Sequence, residues 1–541
     1  MHCSQGMPGR APCNRVERPT FFYNITIPTE WNSTMPGSSV FTSPDTSKTA
    51  GMLFRAASGG TGYLRARPSY ECSCLNPATH SLHLRVMQRL AALNWQASAA
   101  DIASTHDAHA TEALKPTVVK PPGRVLLTNL RLFDGIALTL REDVQILVED
   151  GIIVDLPPVG ATVSDAAMTL DCAGKVVIPG LIDAHWHSMF CGLGEMTALT
   201  ADVGYIHLVA AQQARQTLFR GFTTVRDTGG PVFALKRAID EGLFEGPRIF
   251  PSGAMISQTG GHGDFRMRYE VPLAARNTLS HAEAFGAALI ADGPDEVRRR
   301  VREQLMLGAS QIKVIAGGGV TSLYDPIDST QYSEQEMRVA VEAASDWGTY
   351  VMAHVYTPKG IMRAVRAGIR SIEHGQLADQ ACAQLMADEG IWWSLQPFFA
   401  DEDANIKVDP KAKAAQQMIA RGTEQAFQMA RDLKIRTAWG TDILFTPQNV
   451  HTHGKQLAKL TRFYEPLEVL QIATAKNGEL CQMSGNRSPY PGKLGVIEPG
   501  ALADLLVIDS DPSKSLDFLL KPQDSLRVIM KQGAIHKNTL A

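Results

Sequence analysis

Residues 176–187 read VVIPGLIDAHWH. An apolar run broken by Pro179-Gly180 leads into a second apolar run, which ends in two histidines one residue apart. Alternate side chains of a β-strand point the same way, so His185 and His187 project together from one strand end. Two neutral imidazoles converging from one strand suit a divalent metal. The pattern also fits two histidines on a half-exposed strand. The rest of the chain has to decide between the two.

Downstream, strand-like runs alternate with helical ones. After 176–187 come GFTTVRDTGG (221–230), PRIFPSGAMI (247–256), SQIKVIAGGG (310–319), GTYVMAHVY (348–356), GIRSIEHG (368–375), IWWSLQPF (391–398) and IRTAWGTDI (435–443). Helical stretches such as DEVRRRVREQLMLG and SEQEMRVAVEAASDWG lie between them, the latter opening with a capping box, Ser333 and Glu336. Eight β-runs separated by helices predict an α/β fold, a (β/α)8 TIM barrel whose strand ends carry the chemistry. Trp392 and Trp393 are adjacent in the seventh run, so one faces the barrel interior and the other packs outward under a helix.

Short β-rich runs flank this region, at 125–135, 144–156 and 168–180 before it and at 492–509 and 526–535 after it. Broken at Gly, Asp and Asn, they read as a small antiparallel sheet. The expected organisation is an N-terminal extension and linker (1–122), a first half of a composite β-sandwich (123–178), the barrel (179–487), and the second sandwich half with a tail (488–541).

A length of 541 residues is too long for one ordinary core but suits a barrel with a smaller domain. Hydrophobic content of 44% and charged content of 20% describe a soluble globular protein. A net charge of -3 gives no electrostatic reason to expect nucleic acid or an anionic membrane as partner, and no apolar run is long enough to cross a bilayer. The expected compartment is the cytoplasm, and a homo-oligomer is compatible with the composition. Of eight cysteines, the four from Cys172 onward are scattered, which argues against a disulfide framework there.

Segment 1–86, rich in Ser, Thr, Pro and Gly, shows no sustained periodicity and no recognisable secretory signal. It reads as disordered, or as sequence upstream of the real start, with Met87 a candidate. Cys72 and Cys74, with Cys3 and Cys13 far upstream, give poor zinc spacing. Asn24-Ile-Thr, Asn32-Ser-Thr and Asn486-Arg-Ser fit a glycosylation pattern that arises often by chance. A helix-like stretch at 87–97 and the linker KPTVVKPPG lead into the folded body.

Several polar residues fall at the strand ends. His185 and His187 close the first run, His354 the fifth, His374 the sixth and Asp442 the eighth, while Lys313 sits inside the apolar fourth. A lysine in a buried strand is costly unless paired or neutralised. Any one of these histidines could be a satisfied core residue, yet a single metal centre explains them all together.

PGLIDAHWH, the fourth-strand lysine, the two later histidines and GTD resemble the amidohydrolase superfamily, and the flanking β-halves match its composite β-sandwich. Segments TGGHGD, IKVIAGGGVTS, QYSEQE, AHVY and SIEHG resemble a branch related to imidazolonepropionase. That branch includes Xaa-Pro and Xaa-Lys/Arg dipeptidases and fungal hydrolases of the ochratoxin amide bond. The resemblance covers roughly 120–535. It implies two divalent ions, zinc by expectation, although nitrogen and oxygen ligands also suit manganese or cobalt. His185, His187 and Asp442 would hold the more buried ion and His354 and His374 the other. Lys313, carbamylated to N6-carboxylysine, would bridge them. Only a neutral amine attacks carbon dioxide, and burial beside cations lowers a lysine's pKa. Asp442 would move a proton from the attacking water to the leaving amine.

The implied activity is hydrolysis of an amide in a small molecule, a dipeptide or an N-acyl amino acid. A mononuclear deaminase or cyclic-amide hydrolase is the nearest rival, and such enzymes usually lack the bridging lysine. A non-catalytic scaffold of the same fold is a third reading.

His262 in TGGHGD lies among glycines beyond the third strand, where it could polarise the scissile carbonyl or be an ordinary loop histidine. Tyr324 could hydrogen-bond a substrate carboxylate or the oxyanion, and a rim-packing tyrosine fits equally. With the loop carrying Arg226, these two are the expected donors to a substrate carboxylate. His451 and His453 repeat the HxH pattern in a loop, where a substrate contact is open and a second metal site is not expected. Gly317 to Gly319 lack the Lys-Ser/Thr of a phosphate loop and more simply give ligand access. Asp227 reads as a structural residue or as a support to the ligands.

Overall fold

The structure, a computed structural model, describes residues 122–540 apart from 167, 272–278, 322–323, 406 and 408. The expectations for segment 1–86, for Cys3, Cys13, Cys72 and Cys74, for Asn24 and Asn32, and for a helix at 87–97 concern residues outside this set.

The chain opens with β1 (Arg124–Leu132), β2 (Ile146–Glu149), β3 (Ile152–Asp155) and β4 (Met168–Pro179). After the single residue Gly180 come β5 (Leu181–Trp186), β6 (Phe222–Asp227), β7 (Arg248–Phe250), β8 (Met255–Ser257) and β9 (Ala288–Ile290). Then follow β10 (Ile312–Ile315), β11 (Val351–Val355), β12 (Ser371–His374), β13 (Trp392–Leu395) and β14 (Arg436–Trp439). Last are β15 (Leu505–Ile508), β16 (Leu526–Lys531) and β17 (Ala534–Asn538).

Both flanks join in one seven-stranded sheet of order β17-β16-β15-β4-β1-β2-β3. The expected antiparallel sheet needs correcting at one pair, because β1 and β4 run parallel. Hairpin β2–β3 forms the connection between them, which brings β4 back alongside β1 in the same direction.

Strands β5-β6-β7 form one parallel sheet, and β14-β13-β12-β11-β10-β8-β9 form a second. Nearly every residue of these strands is buried, as in parallel sheets covered on both faces. The expected third strand, PRIFPSGAMI, is split into β7 and β8 at Pro251, which lacks an N–H for the ladder. Strand β9 went unforeseen because three residues after a short helix carry too little pattern to read.

Helices follow most strands, as the alternation predicts. Helix Glu334–Asp346 begins at the expected capping box, where Ser333 accepts from the Glu336 N–H and the Glu336 carboxylate accepts from the Ser333 N–H at 2.8 Å. Strand alternation sets two faces on β10–β13. Ile312, Val314, Val351, Ala353, Ile372, Trp393 and Leu395 pack into one large apolar core with helix residues such as Val301, Met337 and Phe427. Trp392 faces the other way, against Ala184, Met352 and Ala438, so the two tryptophans divide as expected. Cys172, Cys191, Cys382 and Cys481 are all free and buried.

The flank sheet is fastened to the parallel strands by a buried ion pair between Arg248 of β7 and Asp504, which precedes β15. Asp504 also accepts from the Gln532 N–H at 2.8 Å, and its carbonyl accepts from the Gly180 N–H at 2.8 Å. Replacing Asp504 with Ala leaves a buried guanidinium uncompensated. We expect a loss of about 3–5 kcal/mol, read as a lowered calorimetric Tm. An unchanged Tm would remove this pair from the stability of the joint.

Candidate metal centre

Six candidate ligands converge at the C-terminal ends of the parallel strands. His185 is the penultimate residue of β5 with His187 just beyond the strand, and Asp442 follows β14, donating its N–H to the His185 carbonyl at 2.9 Å. This approach needs Gly440, since a Cβ there would lie 2.3 Å from the His185 nitrogen. Ligand atoms of His185, His374 and Asp442 all lie within 4.8 Å of one another. Asp442 Oδ1 is 3.4 Å from His185 Nε2 and 3.2 Å from His187 Nε2. The His354 ring centroid lies 4.5 Å from that of His374, and His262 stacks on His354 at 4.2 Å. Lys313 lines the same cavity, which encloses about 1060 Å³ including its open mouth.

The surrounding polar groups fix the ring nitrogens. His185 Nδ1 lies 2.7 Å from Glu373 Oε2, and both Glu373 oxygens accept from the Arg226 guanidinium at 2.7 Å. With Nδ1–H donated there, His185 Nε2 is a buried acceptor with no hydrogen-bond partner among the described residues. His374 Nδ1 donates to Gln396 Oε1 at 2.7 Å, which again leaves Nε2 as the free lone pair. His354 is turned the other way, with Nε2 donating to the Gly318 carbonyl at 3.2 Å, so Nδ1 carries the free lone pair. Buried imidazole lone pairs facing a carboxylate fit a divalent cation.

Burial pushes His354 and His374 well below the ordinary histidine range, so both are neutral, as ligands must be. Burial alone would raise the Asp442 carboxyl, but His185, His187 and His374 hold it well below the usual carboxylate range. Burial lowers Lys313 to about 8, against the opposing pull of Glu373 and Asp442. Two of the candidate ligand positions are also strained: His374 has φ +73° and Asp442 φ +53°, in the left-handed region that favours glycine.

Other sequence expectations change. The Tyr324 hydroxyl is spent on the Arg266 carbonyl, and the side chain does not line the cavity. Arg226 is wholly buried and bound to Glu373, the Ala184 carbonyl and Tyr350, so it cannot serve as a donor at the rim. His453 is no loop residue open to substrate. It is buried in helix His453–Ala458, stacked on Phe222 at 3.5 Å and Trp186 at 4.4 Å, with Nε2 2.9 Å from Asp183. Asp227 accepts from the Ser188 N–H at 2.8 Å and so braces the turn after His187. His262 stays on the cavity wall, and a Cβ at Gly319 would lie 2.1 Å from its ring, so only glycine leaves room for it.

Glu373, Asp183 and Gln396 were not singled out from the sequence, and Arg226 was named only as part of a loop at the rim. Glu373 and Arg226 carry the signal that marked Lys313, a charge inside an apolar strand. Gln396 carries no such signal.

An amidohydrolase family model matches residues 176–536. The chain belongs to the amidohydrolase family and is a hydrolase of carbon–nitrogen bonds. Ochratoxinase of Aspergillus niger is 32% identical over 376 residues, covering 67% of this chain and 76% of that one. Among solved structures, an amidohydrolase is 37% identical with a TM-score of 0.69, covering 77% of this chain and 100% of the other. A prolidase in complex with N-methylphosphonate-L-proline is 32% identical with a TM-score of 0.70, covering 77% and 100%. No helix among the described residues is long and apolar enough to cross a membrane.

Glu373→Gln removes the negative charge that pairs with Arg226 and loosens His185. We expect zinc affinity to fall roughly 10–100-fold, measured by competition with a chromophoric chelator. An unchanged affinity would show that His185 does not ligate through this arrangement.

Proposed function

We propose that this chain is a binuclear metal-dependent hydrolase that cleaves the amide bond of a dipeptide or an N-acyl amino acid. The observation that carries the reading is Lys313: a fully buried lysine on β10 that lines the same cavity as four ligand-type histidines and Asp442. Its lowered pKa favours the neutral amine that carbamylation requires. As N6-carboxylysine it would offer one oxygen to each of two ions, with His185, His187 and Asp442 on one and His354 and His374 on the other. Zinc suits this donor set, as do manganese and cobalt. Bound there, two such ions would supply Lewis acidity toward the scissile carbonyl and a nucleophile at neutral pH.

The chain's own residues do the rest. Asp442, an anion at neutral pH, accepts the proton of the attacking water and passes it to the leaving nitrogen. His262 faces the cavity from its stack on His354 and polarises the carbonyl oxygen of the substrate. The prolidase and ochratoxinase relatives support an amide with a neighbouring carboxylate as substrate. The two parallel sheets form one (β/α)8 barrel, supported by the Asn477 amide that donates to Ile182 of β5 and Trp439 of β14. The flank sheet is the composite sandwich, built from 123–178 and 488–541 around a barrel of 179–487.

The tight His185–His374–Asp442 trio favours a second reading, a single ion at that trio as in a mononuclear deaminase or cyclic-amide hydrolase. Metal analysis of the purified protein separates the two: about two ions per chain for the first, one for the second.

Lys313→Ala should lose the bridge, reduce the metal content and abolish most turnover of dipeptides while the fold persists by circular dichroism. Short carboxylic acids added to the variant should restore part of the rate by filling the gap. A Lys313→Ala protein with full metal content and full rate would falsify the binuclear reading.

A further inference from the structure

Among the described residues, the cavity wall carries three lysines and no arginine. Lys313 sits on a strand beside the ligand cluster. Lys459 is neutralised by Asp401 and Asp403 at 2.8 and 2.7 Å. Lys407 differs from both. It lies between β13 and helix Pro410–Asp432, half-buried, and its Nζ donates to Thr321 Oγ1 at 2.6 Å. Among the described residues no carboxylate forms an ion pair with it. Burial lowers its pKa, opposed at longer range by Glu195 and Asp442. Asp442 and Lys407 line the same cavity.

A partly desolvated ammonium without a counter-ion is an unfavourable arrangement that an entering anion would relieve. Thr321 ties Nζ to the segment following β10, so the cation is held at one place over the cavity. Of the other expected donors, His262 stacks on His354 beside the ligand cluster, and two are not available for this task. Arg226 lies in the interior and Tyr324 is engaged with Arg266.

We propose that Lys407 reads the free carboxylate of the substrate, pairing with it while the neighbouring amide faces the ligand cluster. The position of the amide rests on the function proposed above; the anion site at Lys407 does not. It makes Lys407 a specificity-determining residue, and it assigns the preference for an amino acid over its amide to one side chain.

The test uses the full chain loaded with zinc and a ketomethylene analogue of alanyl-phenylalanine, in which –CO–CH2– replaces the amide and prevents cleavage. Its C-terminal carboxamide is the neutral control. Calorimetry should give a Kd for the carboxylate roughly ten- to a hundred-fold tighter than for the carboxamide. Lys407→Met should abolish that gap by weakening the carboxylate alone, with metal content unchanged, and Lys407→Arg should keep most of it. A gap that persists in Lys407→Met, or no gap in the unaltered protein, overturns the proposal. If the gap and its loss are seen but the alanyl-phenylalanine amide itself is not cleaved, the anion site stands and the amidase reading fails.

Discussion

The strand ends depend on one fully buried ion pair. Arg226 and Glu373 are both fully buried, and moving two such charges out of water costs several kcal/mol each. The cost is offset only because every donor and acceptor is used. Arg226 reaches from β6 to the Ala184 carbonyl of β5 at 2.6 Å, to Tyr350 Oη at 3.1 Å and to Ser394 Oγ of β13 at 3.4 Å. Glu373 accepts in addition from Ser371 Oγ at 2.6 Å and meets His185 Nδ1 at 2.7 Å. One interaction thus joins β6 to β5, β12 and β13 and also sets the tautomer of a candidate ligand. An apolar substitute of equal volume could pack as well, but it could not orient an imidazole.

A second constraint acts on the backbone. Left-handed φ values at His374 and Asp442 cost of order 1–3 kcal/mol each and survive only where the surroundings impose them. The His374 carbonyl accepts from Trp393 Nε1 at 2.7 Å, and the following Gly375 N–H donates to Val355 at 2.9 Å. Asp183 grips the other end, accepting from the His185 N–H at 2.8 Å, from Thr441 Oγ1 at 2.8 Å and from the Thr441 N–H. His453 seals that carboxylate from the far side. The turn that carries Asp442 is therefore held to β5 by contacts more than 250 residues apart in sequence.

That distance explains what the sequence could and could not disclose. Candidate ligand positions were legible because metal chemistry favours His, Asp and Lys, and because strand geometry brings all but Lys313 to the run ends. The inward and outward roles of Trp392 and Trp393 followed from a period of two. Partnerships were not legible. Arg226 and Glu373 stand 147 residues apart, and each run shows a charge without showing what neutralises it. Tyr324 and His453 were misplaced for the same reason: the residue type suits both a site and a core, and only the fold supplies the Arg266 carbonyl for one and the Asp183 carboxylate for the other. The parallel pairing of β1 with β4 was hidden because pairing direction leaves no mark on alternation.

The register of the central strands shows why one ligand position falls inside a strand rather than at its end. On β10, Ile315 lies level with His354 of β11, so Lys313 starts two residues lower. At about 3.3 Å per residue its Cα stands roughly 6–7 Å beneath the histidine layer. An imidazole or a carboxylate at that depth would end among packed side chains. A four-carbon stem spans the gap and brings the amine up to the layer, while its methylenes fill the space between. The same depth removes water from the amine and favours its neutral form. Burial, reach and reactivity at Lys313 are in this sense one property of its place in the register, and they explain why lysine suits that position while β5, β11, β12 and β14 offer shorter candidate ligands at or just beyond their ends.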